Sequence, residues 1–328
     1  MRRFLLTRLV HNLALVFAAT TLAYGVASLA LNPRSRYEGR NPPPPPAVVD
    51  AQLSEYGVND KDPLLERYVQ WMSGVLRGDF GKTVTGGSIN DELWSRALIS
   101  LRLLVIGWFI GAVIGVLVGV VGAVKQYSFT DRLFTAVSFV FIATPVFFTA
   151  VLLKFGALQV NEAAGETVLY YTGYETPGLE AGFWGTAKDQ VAHLILPTLS
   201  IALGLIAFFS RYQRSAMLDV MSSDYLRTAQ AKGLTRRQAL YRHGLRTALI
   251  PMVTLLAYSL GMLVVSATFT EKIFGWHGMG EWVVDSVIGD DINVTATVAL
   301  FTAVLVLLAG LLSDVLHAFL DPRVRVTS

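Results

Sequence analysis

Residues Ser222 to Pro251 read SSDYLRTAQAKGLTRRQALYRHGLRTALIP, a basic, glycine-punctuated stretch set between two long apolar runs. Ser222 or Ser223 is positioned to cap a short helix starting near Asp224, and Gly233 to end it in the left-handed conformation after about two turns. Thr235 and Gln238 then have the Thr-x-x-Gln spacing of a capping box, which opens a second helix running toward His243 and Arg246. Two helices joined at Gly233 make a rigid elbow. Between two membrane spans, such an elbow projects from the bilayer as a docking surface.

The rest of the chain supplies the membrane. Of its 328 residues, 53% are hydrophobic and 16% charged, against about 25% charged in a soluble domain. The mean hydropathy is positive, as in a polytopic membrane protein. A net charge of +3 is too small to suggest a nucleic-acid partner, and the basic residues cluster beside the membrane, where insertion alone would put them. With no cysteine, disulfides, thiolate catalysis, cysteine metal ligands and a lipoprotein anchor are all excluded.

A spanning helix needs about 20 apolar residues. Six runs qualify: Leu5 to Leu31, Ile99 to Val124, Leu133 to Leu158, Ala192 to Ser210, Thr247 to Phe269 and Thr295 to Phe319. Arg2, Arg3 and Arg8 flank the first, Lys125 and Arg132 lie between the second and third, and Arg323 and Arg325 follow the last. The elbow region carries Arg211, Arg214, Arg227, Lys232, Arg236, Arg237, Arg242 and Arg246 against only Asp219 and Asp224. The third and fifth loops are acidic, with Glu162, Glu166, Glu175, Glu180, Glu281, Asp285, Asp290 and Asp291. By the positive-inside rule, the elbow and both termini are cytoplasmic. The apolar core of the first run exceeds the 7 to 15 residues of a cleaved signal, so a retained anchor is expected.

Asn32 to Leu98 differs in composition and contains Pro42 to Pro46, which predict an extended polyproline spacer. Beyond it, Leu64, Leu65, Tyr68, Val69, Met72, Val75 and Leu76 recur at helical spacing and predict an amphipathic helix on the outer membrane surface or on the bundle. In the second span, Gly107, Gly111, Gly115 and Gly119 fall on one helical face, so another helix can approach closely there, within the chain or at a subunit interface. Pro145 should kink the third span. The outer loop Gln159 to Val191 mixes Tyr170, Tyr171, Tyr174, Phe183 and Trp184 with acids, which suits a protein interface or an aromatic belt at the headgroups.

Ion-coupled carriers keep ionisable groups near midplane. The candidates here are Lys154, near an outer end where it can snorkel, and His11, Asp314 and His317 toward the inner side. There is also no phosphate loop ending in Lys-Ser or Lys-Thr. Energy must therefore enter from outside the chain, and the elbow is where it would enter.

At these residues the sequence resembles the permease subunits of ABC importers, specifically the first permease of dipeptide and oligopeptide systems. The general family loop reads Glu-Ala-Ala, three residues, then Gly; here Arg227, Thr228 and Ala229 precede Gly233. The peptide branch typically reads Asp-Tyr-x-Arg-Thr-Ala-x-Ala-Lys-Gly-Leu, as Asp224 to Leu234 do. Further resemblance lies in Arg214 to Leu218, in His243 and Arg246 before Ala248 to Pro251, in Leu320 to Arg323, and in Asp62 to Leu64 and Gly78 to Gly81. Two residues depart from the pattern: Thr247 where Asn is common, and His277, within Glu271 to Gly280, where Pro is usual.

The resemblance implies an all-α fold with six transmembrane helices of the type I ABC importer permease kind. It divides the chain into an N-terminal membrane helix (residues 1–31), an extracytoplasmic segment (32–98), a five-helix permease domain (99–319) with the coupling loop at 211–246, and a cytoplasmic tail (320–328). It implies a multi-pass subunit of the inner membrane with no catalytic, cofactor or metal site of its own. ATP and Mg would be bound by two partner ATPases, beside a second homologous permease and an extracytoplasmic peptide-binding protein. Asp224, Tyr225, Arg227, Thr228, Ala229, Lys232, Gly233 and Leu234 would form the coupling helix seated in an ATPase groove. The cargo implied is di- or oligopeptide, with nickel, glutathione or haem as alternatives in the same architecture and a stand-alone carrier or channel as the competing class. No residue points to a substrate contact.

Overall fold

The computed structural model describes residues 2–38 and 41–320; the tail motif from Asp321 onward lies outside them. In chain order the helices are α1 (Arg2–Ala30), α2 (Pro46–Glu55), α3 (Leu64–Val75), α4 (Ile89–Val124), α5 (Phe129–Ala143), α6 (Val146–Ala164), α7 (Gly182–Met221), α8 (Asp224–Ala231), α9 (Arg236–Ala239), α10 (Leu245–Phe274), α11 (Met279–Ile288) and α12 (Ile292–Leu320). Among the described residues, five stretches are long and apolar enough to cross a membrane: Arg8–Ala30, Ile89–Val124, Val146–Ala164, Gly182–Met221 and Ile292–Leu312. The expected span Thr247 to Phe269 lies within the 30 residues of α10, about 45 Å at helical rise.

The chain divides into two compact units. The first comprises residues 1–101 and 275–308. Tyr24 and Ala27 of α1, Val49 and Leu53 of α2, Val58, Trp71 of α3, and Ile292 and Ala296 of α12 form one buried core there. A second core joins Ile89, Leu93 and Ala97 of α4 to Met279 and Trp282 of α11 and Val294 and Val298 of α12. Most of the run expected to be an extended spacer lies outside helix, and the segment around it is folded. Pro46 is the first residue of α2, where its missing N–H costs nothing, so only Pro42 to Pro45 remain outside helix. Arg34 forks onto Asp50 at 2.8 Å and Asp60 at 2.6 Å; Lys61, at 2.6 Å, and then Arg34 hold the Asp50 carboxyl below the usual range, and Arg34 does the same for Asp60. Asn293 donates to the carbonyls of Tyr56 (2.8 Å) and Lys82 (3.0 Å), while Asp291 accepts from the Val84 N–H at 2.8 Å. These bonds stitch residues 32–98 to the start of α12.

The amphipathic helix α3 has three faces. Arg67 and Trp71 are buried, with Tyr68, Met72 and Val75 packed on the core. Leu65, Val69 and Leu76 are 72%, 56% and 82% exposed. Glu66, Gln70 and Arg77 make a third, polar face. The apolar periodicity was therefore only partly a core signal.

Among the described residues, the second unit comprises 102–274 and 309–320. The four glycines of α4 meet α7 within the same chain. A Cβ on Gly107 would lie 3.3 Å from Ile201, on Gly111 2.6 Å from Leu205, on Gly115 2.8 Å from Phe209, and on Gly119 2.5 Å from the Ser210 carbonyl. Of the two uses open to this stripe, the structure shows intramolecular packing.

Pro145 does more than kink the third span. Thr144 is extended (φ −90°, ψ 123°) and caps α5, and Pro145 caps α6, so the span is two helices. Both run antiparallel along α7: Asp131 pairs with Arg214, Ser138 with Ser210, Val146 lies beside Gly204, and Ala150 and Ala157 share a core with Leu196. The break thus interrupts a continuing span without reversing it.

Candidate functional site

The elbow between α7 and α10 has an apolar root and a polar outer face. Leu226 of α8 is 4% exposed. It packs with Ala239 and Leu240, with Val120 and Ala123 of α4, and with Met217 of α7, while Ala229 and Leu234 border the same cluster. Of the residues expected to form the coupling surface, Ala229 and Leu234 therefore point into the protein. Asp224, Tyr225, Arg227, Thr228, Lys232 and Gly233 are exposed. The Asp224 and Arg227 side chains, 95% and 76% exposed, approach only to 3.5 Å, so each remains available to a partner. The Thr228 hydroxyl donates to the Asp224 carbonyl at 2.9 Å.

Local geometry follows the sequence with one correction. Gly233 adopts φ +98° and donates its N–H to the Gln230 carbonyl at 2.9 Å, closing α8. Thr235 and Gln238 make both bonds of the capping box. Ser223 takes the N-cap position of α8, as expected, but makes no side-chain capping bond: Ser222 and Ser223 donate backward to the Asp219 and Val220 carbonyls, at 2.8 and 2.6 Å. Those carbonyls end α7, and the serines satisfy them there. The second helix runs through His243 and Arg246 as expected, since α9 passes through a π turn, Leu240–Gly244, directly into α10. Gly244 is enclosed: a Cβ there would lie 3.0 Å from Leu240, 3.2 Å from Val220 and 3.4 Å from Leu226.

Beside the root is an ion pair that sequence reasoning did not assemble. Asp131, 3% exposed, accepts from Arg214 Nε at 2.7 Å and Nη2 at 2.8 Å, and from the Tyr127 N–H at 2.9 Å. The Arg214 hydrogen bond, first among these causes, holds the carboxyl below its usual value despite burial. A depressed carboxylate stabilises the fold above its unfolded value near 4 and loses that contribution as pH falls through the depressed one, so the pair is intact at neutral pH. Arg214→Ala would leave a buried, unpaired carboxylate. We expect it to destabilise the protein by about 3 kcal/mol, and the double variant Asp131→Asn/Arg214→Leu to be more stable than Arg214→Ala alone. Thermal unfolding of the purified protein tests this; a double variant no better than the single would show that the unpaired charge is not the cost.

Three other expected features resolve differently. Lys154 donates to the Ile273 carbonyl at 2.6 Å, in the last turn of α10, so its ammonium has a protein partner. In the outer loop, Tyr170 packs on the His193 ring at 4.4 Å and Tyr171 joins a core, leaving Phe183 and Trp184, 78% and 82% exposed. His277 has φ +55° and donates its N–H to Glu281 at 2.5 Å. Proline, with φ fixed near −65° and no N–H, could do neither, so this loop differs from the geometry its usual residue imposes.

Residues 111–326 match the family model described as the binding-protein-dependent transport system inner membrane component. The chain belongs to that family. As a whole, this permease is 51% identical to the oligopeptide transport system permease protein OppB of Mycobacterium tuberculosis, over 100% of both chains. It is 34% identical to the oligopeptide permease AppB of Bacillus subtilis, covering 83% of this chain and 84% of that one. It is 32% identical to the dipeptide permease DppB of Escherichia coli, again covering 83% and 84%. Among solved structures, the inward-facing MetNI methionine ABC transporter matches 70% of this permease and 96% of that chain, with a TM-score of 0.55 and 20% identity, a likeness of fold. The all-α membrane architecture agrees with that of a permease, a subunit of the inner membrane.

Proposed function

We propose that this permease forms the pathway of an ATP-driven importer of di- or oligopeptides, with a second homologous permease, two cytoplasmic ATPases that bind ATP and Mg, and an extracytoplasmic peptide-binding protein. The observation that carries the coupling role is the elbow, whose exposed Asp224, Tyr225, Arg227 and Lys232 stand on a root buried against α4 and α7. A partner pushing on such a surface moves the spans behind it. Peptide cargo is supported by the full-length relatives, whose names specify oligopeptide or dipeptide transport. Both termini are cytoplasmic in this reading, which the distribution of Arg and Lys supports.

The break at Thr144–Pro145 supports a place for the cargo path. Irregular backbone at membrane depth is tolerated only against protein or beside water. Ala143 and Pro145 are exposed in the isolated chain, and the break lies about midway along the two-helix span. Opened carbonyls here would line the path at the interface with the second permease, where they can accept hydrogen bonds from passing peptide N–H groups.

Because the chain lacks cysteine, single cysteines test both orientation and path. In the assembled complex, cysteines at Val48, Thr172 and Ile288, all exposed, should react with an impermeant thiol reagent added outside. Cysteine at Thr144 should react in an ATP-dependent manner, and at Leu152, 52% exposed, weakly. Protection of any of the first three would overturn that part of the topology, and an inert Thr144 cysteine would remove the break from the path. Uptake of labelled oligopeptide by the reconstituted complex, resistant to competition by nickel, glutathione or haem, is the expected cargo result.

A further inference from the structure

Within the first unit, α1 and α3 press together two polar stripes that leave their donors unused. Thr20, Tyr24 and Ser28 recur every fourth residue on α1, and Arg67 and Trp71 are one turn apart on α3. Thr20 is 1%, Tyr24 0%, and Arg67 and Trp71 each 7% exposed. Yet the Thr20 hydroxyl, Arg67 Nε and Trp71 Nε1 have no hydrogen-bond partner among the described residues, and the Tyr24 and Ser28 hydroxyls have at most each other. Such an arrangement is costly, because a buried donor without an acceptor loses its water uncompensated, and a buried guanidinium without a carboxylate loses more.

The arrangement is held firmly. Tyr24 stacks on Trp71 with ring centroids 5.0 Å apart and meets Tyr68 edge-on at 5.5 Å, and the Thr21 hydroxyl and Tyr68 hydroxyl are 2.6 Å apart. Arg Nε and indole Nε1 can only donate, and the hydroxyls can donate as well. The missing group is therefore rich in acceptors and negatively charged.

Position narrows its source. Tyr24 and Ser28 lie six and two residues before the end of α1 at Ala30, about 9 and 3 Å along the axis, a depth at which lipid glycerol and phosphate meet the hydrocarbon. The exposed apolar face of α3, Leu65, Val69 and Leu76, and its polar face fit a helix lying in that layer. We propose that the outer end of the α1–α3 contact binds the phosphodiester of an anionic phospholipid headgroup, with Arg67 as its charge partner and Trp71 and the Tyr24 and Ser28 hydroxyls as further donors. This rests on the external placement of residues 32–98, which the Val48 cysteine reports separately.

The complex with its partner subunits, delipidated in mild detergent, is titrated with phosphatidylglycerol and read by native mass spectrometry. Wild type should hold one phosphatidylglycerol about tenfold more tightly than Arg67→Gln, as the loss of a charge-assisted bond implies. Trp71→Phe, which keeps the stack on Tyr24 but removes the indole donor, should weaken binding about threefold, and it decides the matter if Arg67→Gln does not assemble. Inorganic phosphate should not displace the lipid. Equal retention by wild type and both variants, retention by none, or displacement by phosphate would each overturn the proposal.

Discussion

Gly233→Val is expected to lower ATP-dependent uptake at least tenfold while leaving insertion and subunit assembly intact. At φ +98° a β-branched residue is an outlier costing about 1–3 kcal/mol. No heavy atom lies within 4 Å of the position a Cβ would take. The penalty is therefore one of backbone conformation alone, and the elbow relieves it by reshaping the turn between α8 and α9. That shift displaces Arg227 and Lys232 from any groove built to receive them. Alanine should give an intermediate loss and asparagine, which tolerates positive φ, a smaller one. The order glycine, asparagine, alanine, valine in uptake by the reconstituted complex, at constant ATPase content, is the measurement; normal uptake by the valine variant would show that this turn is not a critical joint.

Gly119→Leu should have the opposite character, with little or no folded protein recovered. A Cβ at Gly119 would stand 2.5 Å from the Ser210 carbonyl oxygen, 2.7 Å from the Gln213 Cβ and 3.1 Å from the Arg214 nitrogen. Two of these are backbone atoms of α7, so relief requires the helices to separate, and overpacking of that kind costs about 1–3 kcal/mol or more even for small insertions. Gly107→Ala meets the Ile201 side chain at 3.3 and 3.5 Å and the Thr198 carbonyl oxygen at an ordinary 3.9 Å, and should be nearly tolerated. Gly310→Ala, with nothing within 4 Å, is the control and should match wild type. Recovery and melting temperature across the three variants test the gradient. If Gly119→Leu were as stable as Gly310→Ala, α4 and α7 would not be in the contact described.

What was legible in the sequence was local. The capping box of Thr235 and Gln238 and the turn at Gly233 are set by residues three or fewer apart, and α8 has the expected length for that reason. The glycine stripe was legible as a close contact, but its partner was not, since periodicity on α4 carries no information about α7. Asp131 and Arg214 are 83 residues apart, and nothing in either neighbourhood pairs them. The broken third span escaped because hydropathy is continuous through Thr144 and Pro145; the proline marked a disturbance but not its size. Nothing in the sequence distinguishes Arg67 from a solvated charge; its burial, 7% exposed, is purely tertiary.

The π turn at Leu240–Gly244 has a consequence for variation in chain length. A π turn is an α-helical turn carrying one additional residue, so shortening this segment by one residue would still permit an unbroken helix from α9 into α10. It would, however, swing the elbow about 100° around the α10 axis and draw it in by about 1.5 Å. Length in this segment is thus equivalent to azimuth: the direction in which the basic face looks is tied to a single residue count, and insertions or deletions harmless in an ordinary surface loop would here re-aim the whole surface.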